Sequence, residues 1–347
     1  MSDRIVGIDI SSRVVRAAEV RLRPKRPPKV LRVSSVEIVE GVIRRGEIIE
    51  PKTLAAALRQ LWVRGRFRTR RAAIGMAGTK IYVRDAILPK TPIAYLREQL
   101  PFIVQDLIPL PVEEALLDFY PAATEVTDEG PMLRGILVAS RTEVSKGASY
   151  TLLKAGLSPV SIDFTGFGVV RAIEPIGKAT GRALTIAVGT GVTNLIVTEA
   201  GVPRFARTVS MGDLDMLNAI SRRLQISYSE AQALRNRIGI TTQRGEDRTD
   251  LAAVEAIHSA SWDLLSSIRD TVTYYASVYP ELPIERINLV GVGVDFPGFH
   301  EALGDLVGLP VTLSTIDGVV QMSRSFARTP DRDAYITAVG IAMGGRR

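Results

Sequence analysis

The chain has 347 residues and a formal net charge of +7, with 46% hydrophobic and 23% charged residues. This composition is typical of globular proteins and leaves room for two domains. The sequence has no cysteine and only two histidines, which excludes disulfide frameworks and thiol catalysis, argues against a histidine-rich metal site, and fits a reducing cytoplasm. No apolar run approaches the roughly 20 residues that cross a bilayer, so we expect no membrane-spanning helix.

The positive charge is concentrated in two clusters, residues 21–29 (RLRPKRPPK) and residues 64–71 (RGRFRTRR). We interpret the first as a solvated loop rim. For the second, a solvated rim and contact with a membrane surface or a protein partner remain open alternatives. Phe67 is the only aromatic residue in either cluster, whereas single-strand nucleic acid binding uses interleaved aromatic residues.

Residues 5–20 (IVGIDISSRVVRAAEV) predict a β-hairpin with a polar tip. Asp9 lies near the end of the first strand, where apolar neighbours make an unpaired carboxylate costly. A hairpin of this kind can direct backbone N–H groups and hydroxyls at a phosphate while the carboxylate holds a hydrated metal. The alternative is an ordinary N-terminal hairpin with one acidic residue.

The next part of the chain alternates strands and helices. Residues 41–50 predict a turn between short extended pieces, and residues 124–130 predict a polar hairpin tip. We expect the helix at residues 93–107 to be interrupted, or to begin again, near Pro101. Residues 81–164 predict an inserted β–α–β–β–α–β module. Strands are predicted at residues 30–39, 71–75, 81–88, 133–140 and 158–164, and helices at 52–63, 93–107, 143–155 and 165–176.

The hairpin pattern then returns at residues 184–197 (LTIAVGTGVTNLIV). An offset of 178 residues places Ala187 on Asp9 and the Gly-Thr-Gly tip on the Ser-Ser-Arg tip. A further strand at residues 201–209 extends the pattern. The chain is therefore predicted to contain two similarly built halves.

The remaining segments predict a helical region, a short buried strand, an edge strand and a final buried helix. Residues 241–249 are polar and predict a loop, and residues 291–299 (GVGVDFPGF) predict a turn in which glycines let the backbone approach a ligand. The apolar helix at residues 335–343 has to be buried, against the first half. Helices are also predicted at residues 211–224, 227–238, 251–279 and 300–307, and strands at 287–290 and 311–313.

Asp9-Ile10-Ser11-Ser12, the second hairpin and the late glycine turn together resemble the two phosphate motifs and the adenosine motif of the actin-like ATPases. Within that superfamily the chain resembles the PilM family of type IV pilus assembly proteins, which is related to the cell-division protein FtsA. The resemblance runs over nearly the whole chain. Its most specific parts are GEIIEP at residues 46–51, IPLPVEEALLDF at 108–119, AGLSPVSID at 155–163 and LSTIDG at 313–318.

The resemblance implies an α/β, actin-like (ASKHA) two-lobed fold. Such a fold contains two copies of a ribonuclease-H-like subdomain. An FtsA/PilM-type α+β subdomain is inserted in the first copy. We expect the first actin-like subdomain at residues 1–83, 162–182 and 328–347, the inserted subdomain at 84–161, and the second lobe at 183–327 with a helical part at about 212–262.

The resemblance also implies ATP and Mg²⁺ as ligands. Asp9 would position Mg²⁺ through water, and Arg16 stands where relatives carry a phosphate-binding lysine. The expected nucleotide-binding residues are Asp9, Ser11, Ser12, Arg16, Gly189, Thr190, Gly191, Thr193, Asn194, Gly291 and Gly293.

Each of these motifs departs from the family pattern. Ser11 replaces a glycine, and Ala187 replaces the aspartate of the second phosphate motif. In addition, Arg13 and Val14 replace small hydroxyl residues, and Val290 and Val292 replace serine and glycine. A missing carboxylate removes electrostatic positioning from phosphoryl transfer. We therefore expect ATP hydrolysis to be weak or absent. Asp213 or Asp215 could substitute for the missing carboxylate, and the alternative is that both are ordinary acids at a helix start.

As a member of this family, the chain would be a cytoplasmic scaffold on the inner face of the cytoplasmic membrane. It would bind the N-terminal tail of PilN, join other pilus platform proteins, reach the membrane indirectly and self-associate as a homo-oligomer. The alternatives are an active actin-like ATPase that drives pilus assembly or cell division, and a nucleic-acid-associated homologue, which we do not expect. The groove for the tail is expected beside the inserted subdomain, at Ile81, Val83, Ile87, Leu96, Phe102 and Ile103, where core packing is the competing interpretation.

Overall fold

The computed structural model describes residues 3–128, 130–240 and 248–345. Its strands are β1 (Arg4–Ile10), β2 (Val14–Arg21), β3 (Lys29–Glu37), β4 (Ile43–Arg44), β5 (Glu47–Ile48), β6 (Arg71–Met76), β7 (Ile81–Pro89), β8 (Ala115–Thr127), β9 (Gly130–Arg141), β10 (Ser158–Phe164), β11 (Arg182–Val188), β12 (Thr193–Glu199), β13 (Val202–Val209), β14 (Arg286–Gly291), β15 (Val311–Leu313) and β16 (Gln321–Met322). Its α-helices are α1 (Pro51–Gly65), α2 (Ile93–Ile103), α3 (Thr142–Lys154), α4 (Thr165–Ile173), α5 (Asp213–Leu224), α6 (Tyr228–Ile238), α7 (Arg248–Val278), α8 (Phe299–Val307), α9 (Arg324–Ala327) and α10 (Ile336–Gly344).

The first large sheet has the strand order β10-β6-β1-β2-β3-β16. Strands β1, β2 and β3 form an antiparallel meander, while β6 runs parallel to β1 and β10 runs parallel to β6. A core of aliphatic side chains from β1, β2 and β6 packs against α1 and α3. The nearly continuous apolar sequence of β1 reflects this position at the centre of a covered sheet.

The second large sheet has the order β13-β12-β11-β14-β15. Strand β14 runs parallel to β11, and β15 runs parallel to β14 as an edge strand. Both large sheets therefore place three consecutive strands beside two parallel strands added later in the chain. Because β11 (Arg182–Val188) follows β1 (Arg4–Ile10) at an offset of 178 residues at both ends, the predicted duplication is confirmed.

Contacts within the chain divide it into two compact units. The first consists of Met1–Thr180, Ile196–Thr208 and Thr315–Arg347, and the second of Gly181–Leu195 and Val209–Ser314. The finer subdomain boundaries given above remain predictions.

A three-stranded sheet with the order β7-β9-β8 lies within the first unit. One of its faces packs against α2 around Leu96, Leu100 and Leu137, and Ile136 on the opposite face packs against Val170 of α4. The predicted β–α–β–β–α–β module is wrong in one respect, because its last strand, β10, pairs with β6 in the first large sheet. Strand pairing is a long-range property that local patterns do not specify.

The predicted interruption near Pro101 is also wrong. Helix α2 continues through Pro101 to Ile103, and a 3-10 turn follows at Gln105–Leu107. Proline removes one intrahelical hydrogen bond, but Leu96, Leu100 and Val104 are buried at a spacing of four residues. Their packing holds the last turn of the helix in place.

The C-terminal helix α10 is buried, as predicted, and it packs on α4 and on the central strands of the first sheet. This packing is close because β1 carries Gly7, where a Cβ atom would overlap the carbonyl oxygen of Ala338 and lie 2.5 Å from the amide nitrogen of Ala342. Strand β16 and helix α9 were not predicted. The predicted loop at residues 241–249 lies mostly outside the described residues.

None of the helices within the described residues is long and apolar enough to cross a membrane.

We expect Gly7→Val to lower the free energy of unfolding of the first unit by about 3 kcal/mol or more, because the added side chain meets backbone atoms that cannot move aside. Gly147→Ala is the matched control, since a Cβ at this helical position in α3 meets nothing within 4 Å and should stabilise the protein by about 0.5 to 1 kcal/mol. Urea unfolding measured by circular dichroism tests both. Equal midpoints for Gly7→Val and the wild type would contradict the packing described for α10.

Candidate functional site

The first predicted phosphate motif forms the tip between β1 and β2. The amide of Ser11 donates to the carbonyl oxygen of Val14 at 3.0 Å. The Ser11 hydroxyl also donates to that oxygen at 2.8 Å, and it accepts from the Val14 amide at 3.2 Å. The Ser11 side chain therefore closes its own turn. Ser12, the next residue of the tip, is buried.

Asp9 lies opposite Arg16 in the antiparallel register of this hairpin. Burial raises the pKa of the Asp9 carboxyl from 3.8 to about 6, and the charge of Arg16 acts in the opposite direction. A carboxylate that is only partly compensated gains stability from a nearby cation. Asp9 therefore fits the role of positioning a metal.

The described residues contain no group of three or more histidines, cysteines, aspartates and glutamates placed to hold a metal ion. A cation at Asp9 would thus depend on water and on the ligand's own phosphate oxygens. Mg²⁺ is commonly held in this way, by one or two carboxylates together with waters and phosphates. The chemistry of Asp9 fits such a cation.

The second hairpin repeats the backbone of the first. The amide of Gly189 donates to the carbonyl of Val192 at 2.9 Å, at the position that Ser11 and Val14 occupy in the first hairpin. Thr193 donates its hydroxyl to the carbonyl of Met211 at 2.8 Å, and Asn194 is buried.

The tip of the second hairpin is attached to the beginning of α5. The carbonyls of Gly189 and Thr190 accept hydrogen bonds from the amides of Asp213 and Leu214 at 3.0 and 2.9 Å. The N-terminal amides of a helix are a common binding site for anions. Here two of them are already used by the loop.

Both acidic residues at the start of α5 are engaged by other groups of the protein. Asp213 is buried and forms an ion pair with the fully buried Arg235 of α6. Asp215 accepts from the amide of Gly212 at 2.9 Å and thereby caps α5. Asp215 thus has the environment of a helix-capping acid, whereas Asp213 belongs to a buried ion pair.

The predicted adenosine turn contacts the same ion pair. Gly291 and Gly293 have φ angles of +132° and +66°, which favour glycine. A Cβ at residue 293 would overlap the Asp213 carboxylate. Within the second unit, Asp213 thus joins the second phosphate motif to the adenosine turn. Sequence reasoning named Asp213 but missed Arg235, whose guanidinium lies 4.7 Å from the ring centre of Phe296.

The six residues predicted for a partner groove do not share one environment. Leu96 of α2 is buried in the core between α2 and the three-stranded sheet, and the partly buried Ile103 packs against the same core. Val83 is partly buried against the core of the first large sheet and against the cluster around Ile136. Ile87 and Phe102 are exposed, by 45% and 82%. Ile81 is buried and lines a cavity described next.

A groove lies in the first unit between β8 and β10. It consists of two cavities of about 250 and 170 Å³ that share Asp118, Ile162 and Asp163 in their linings. We call it the β8–β10 groove. Leu116 is 50% exposed and Ile162 is 36% exposed along it.

Charged pairs line the polar end of the β8–β10 groove. Arg97 lies 3.3 Å from Asp118, and Arg171 donates to Asp163 at 2.8 Å. The remainder of the lining is mostly apolar and includes Ile81. An apolar groove with a few fixed polar groups is typical of a binding site.

The sequence matches the model of the family "Type IV pilus assembly protein PilM" over residues 7–346. No curated protein matches the chain. Among solved structures, the chain is similar to one in a PilM-PilN type IV pilus biogenesis complex, with 21% identity, a TM-score of 0.85, and coverage of 99% of this chain and 98% of that one.

More distant structures share the fold. MreB5 of Spiroplasma citri bound to AMPPNP has 11% identity and a TM-score of 0.57, with 99% of this chain and 96% of that chain covered. The ethanolamine utilization protein EutJ from Carboxydothermus hydrogenoformans has 14% identity and a TM-score of 0.55, with 97% and 88% covered. The predicted actin-like fold is confirmed.

We expect Asp9→Asn to stabilise the ligand-free protein at pH 8 and to have little effect at pH 4. The folded state binds the Asp9 proton more tightly than the unfolded state does, since the pKa of this carboxyl is about 6 in the fold and 3.8 ordinarily. The cost of ionising Asp9 therefore grows as the pH rises from about 4 to 6 and then stays constant, reaching about 3 kcal/mol.

Urea unfolding at the two pH values, without nucleotide or divalent cations, measures this difference. The exposed Asp128 provides a control, and Asp128→Asn should leave the pH dependence unchanged. If Asp9→Asn shifts the unfolding midpoint equally at both pH values, burial does not raise the pKa of the Asp9 carboxyl.

Proposed function

Because this chain belongs to the PilM family of type IV pilus assembly proteins, we propose that it is a cytoplasmic scaffold that holds the N-terminal tail of a PilN partner in the β8–β10 groove. The partner's own membrane span would keep the scaffold at the inner face of the cytoplasmic membrane. Other platform proteins and further copies of the chain would assemble on it. The observation that carries this proposal is a groove bounded by two strand edges.

Both strands beside the groove are edge strands. β10 ends the first large sheet and β8 ends the three-stranded sheet. An edge strand presents unpaired backbone amides and carbonyls, to which an extended peptide can add as a further strand. A flexible N-terminal tail suits this mode of binding, since it can adopt the extended conformation.

The side chains of the groove would supply the specificity. Leu116 and Ile162 are partly exposed in it, and a cavity of about 250 Å³ lies beside them. Alternate side chains of a bound strand would enter that cavity, since successive residues of a strand point to opposite faces. The similar structure of a PilM-PilN complex supports PilN as the partner.

We also propose that residues 84–161 act as the inserted subdomain that forms one wall of the groove. Strand β8 lies in this segment, whereas β10 belongs mainly to the first actin-like subdomain. In this proposal the groove would lie beside the insertion, and Ile81 is the one of the six residues named for it that lines the β8–β10 groove.

Ile162→Glu should weaken binding of a synthetic PilN tail from the same organism by about tenfold or more, because it places a charge against the apolar wall of the groove. Ile87→Glu is the control, since Ile87 is an isoleucine of similar exposure on β7 that does not line the groove. Fluorescence anisotropy with a labelled peptide measures both affinities. If only Ile87→Glu loses binding, the tail binds on the surface predicted from the sequence.

We further propose that the chain binds ATP with Mg²⁺ and hydrolyses it slowly or not at all. Asp9, Ser11, Ser12 and Arg16 would contribute from the first hairpin. The contributors from the second unit would be Gly189, Thr190, Gly191, Thr193, Asn194, Gly291 and Gly293. Ala187 stands in place of an acid, and Asp213 and Asp215 are engaged by Arg235 and by the amide of Gly212. Both observations support slow hydrolysis, because neither of these two acids is then free to orient water.

We expect ATP to bind more tightly with Mg²⁺ than without it, and Asp9→Asn to remove this difference, since the variant loses the charge that would hold the hydrated cation. Isothermal titration calorimetry measures the affinities, and a phosphate-release assay measures turnover. The wild type should release phosphate no faster than Asp9→Asn does. Release about tenfold faster would favour the alternative, an active actin-like ATPase. Absence of ATP binding at millimolar concentration would refute the nucleotide proposal and leave the scaffold proposal standing.

A further inference from the structure

A strongly basic surface lies where α1 and α3 end, in the first unit. We call it the basic face, and it is formed by exposed cations of α1, of the segment after α1 and of the last turn of α3. Its members are Arg59, Arg64, Arg66, Arg68, Arg70 and Lys154.

The backbone of the basic face is held firmly. Arg59 donates to the carbonyl of Lys154 at 2.8 Å, and Arg70 donates to the carbonyl of Gly156 at 2.9 Å. The indole of Trp62 donates to the carbonyl of Thr69 at 2.9 Å. These bonds fix the segment after α1 against both helix ends, so the remaining arginines project from a rigid support.

Three large apolar side chains protrude among these cations. Val63 is 78% exposed, Leu153 is 62% exposed and Tyr150 is 42% exposed. The ammonium group of Lys154 lies 5.4 Å from the ring centre of Tyr150. Side chains this exposed stand out from the surface, and Val63 borders an open depression together with Arg59, Gln60 and Arg64.

The charge of the basic face is not balanced locally. The sequence has no acidic residue from residue 51 to residue 84, or from residue 144 to residue 162. Within the part of the chain that the structure describes, no carboxylate pairs with Arg64, Arg66 or Arg68. These arginines therefore remain available to anions from outside.

We propose that the basic face binds directly to an anionic lipid bilayer. Val63 and Leu153 would enter the interface between headgroups and acyl chains, and the arginines would lie among the phosphates. Cations next to protruding apolar side chains are typical of proteins that rest on anionic membranes. Mobile lipid headgroups can match any spacing of the arginines, whereas an acidic protein would need a complementary shape.

The basic face could contact a bilayer while the β8–β10 groove holds a peptide. Ser145 lines the groove and Leu153 belongs to the basic face, so about 12 Å of helix α3 separates them along its axis. The lipid proposal does not depend on the proposed function, because it is tested without any partner.

The test is sedimentation of the full chain with phosphatidylcholine vesicles, with or without one-third phosphatidylglycerol. We expect about tenfold tighter partitioning onto the anionic vesicles, and release at about 0.5 M NaCl, where the Debye length is about 4 Å. The combined variant Arg64→Glu, Arg66→Glu and Arg68→Glu should lose this preference. The double variant Val63→Ser and Leu153→Ser should bind more weakly while keeping its salt dependence.

The charge-matched control is the combined variant Arg23→Glu, Lys25→Glu and Arg26→Glu in the first basic cluster, which should keep the preference within about twofold. Circular dichroism verifies that each variant is folded. Equal binding to neutral and anionic vesicles would overturn the proposal. Equal loss in the control would also overturn it, since net charge alone would then explain binding. Another outcome is that the wild type binds neither kind of vesicle but binds polyglutamate, with this binding lost in the combined Arg64→Glu, Arg66→Glu and Arg68→Glu variant. In that case the basic face is a docking surface for an acidic protein.

Discussion

The first unit depends on a contact between backbones from opposite ends of the chain. Gly7 in β1 leaves room for the backbone of α10 around Ala338 and Ala342, and Gly340 in α10 leaves room for the backbone of α4 at Gly168. A side chain at either glycine would separate these elements. Because the central strand and the last helix meet in this way, the hairpin that carries Asp9 is supported only when the end of the chain is in place.

The two hairpins show how a repeated backbone can carry different chemistry. Each tip closes through the same amide-to-carbonyl hydrogen bond, from Ser11 in one and from Gly189 in the other. The first keeps a carboxylate, Asp9, whose ionised form is disfavoured by burial, while the second has Ala187 there and a tip attached to α5. The backbone geometry of the hairpin is thus present twice, whereas the carboxylate is present only in the first hairpin.

Local patterns predicted most elements, because apolar periodicity and capping residues act over a few positions. The helix from Tyr228 to Ile238 begins with a capping box between Ser227 and Glu230, which follows from their spacing. Nonlocal features could not be predicted in this way. The pairing of β10 with β6, the ion pair between Asp213 and Arg235, and the two-residue strand β16 all depend on segments distant in sequence. The lining of the β8–β10 groove could not be read from local patterns either, since its walls come from β8 and β10 and not from one amphipathic stretch.

The two open strand edges of the β8–β10 groove also create a hazard for the chain. Edges of this kind can pair with the same edges of another copy and start aggregation. Asp118 and Asp163 place charges on β8 and β10, where charged side chains discourage such pairing. A tail lying between the strands would satisfy the backbone groups themselves. Filling the groove would therefore protect newly made protein from self-association, so that the amount of partner would limit how much of the chain accumulates in native form.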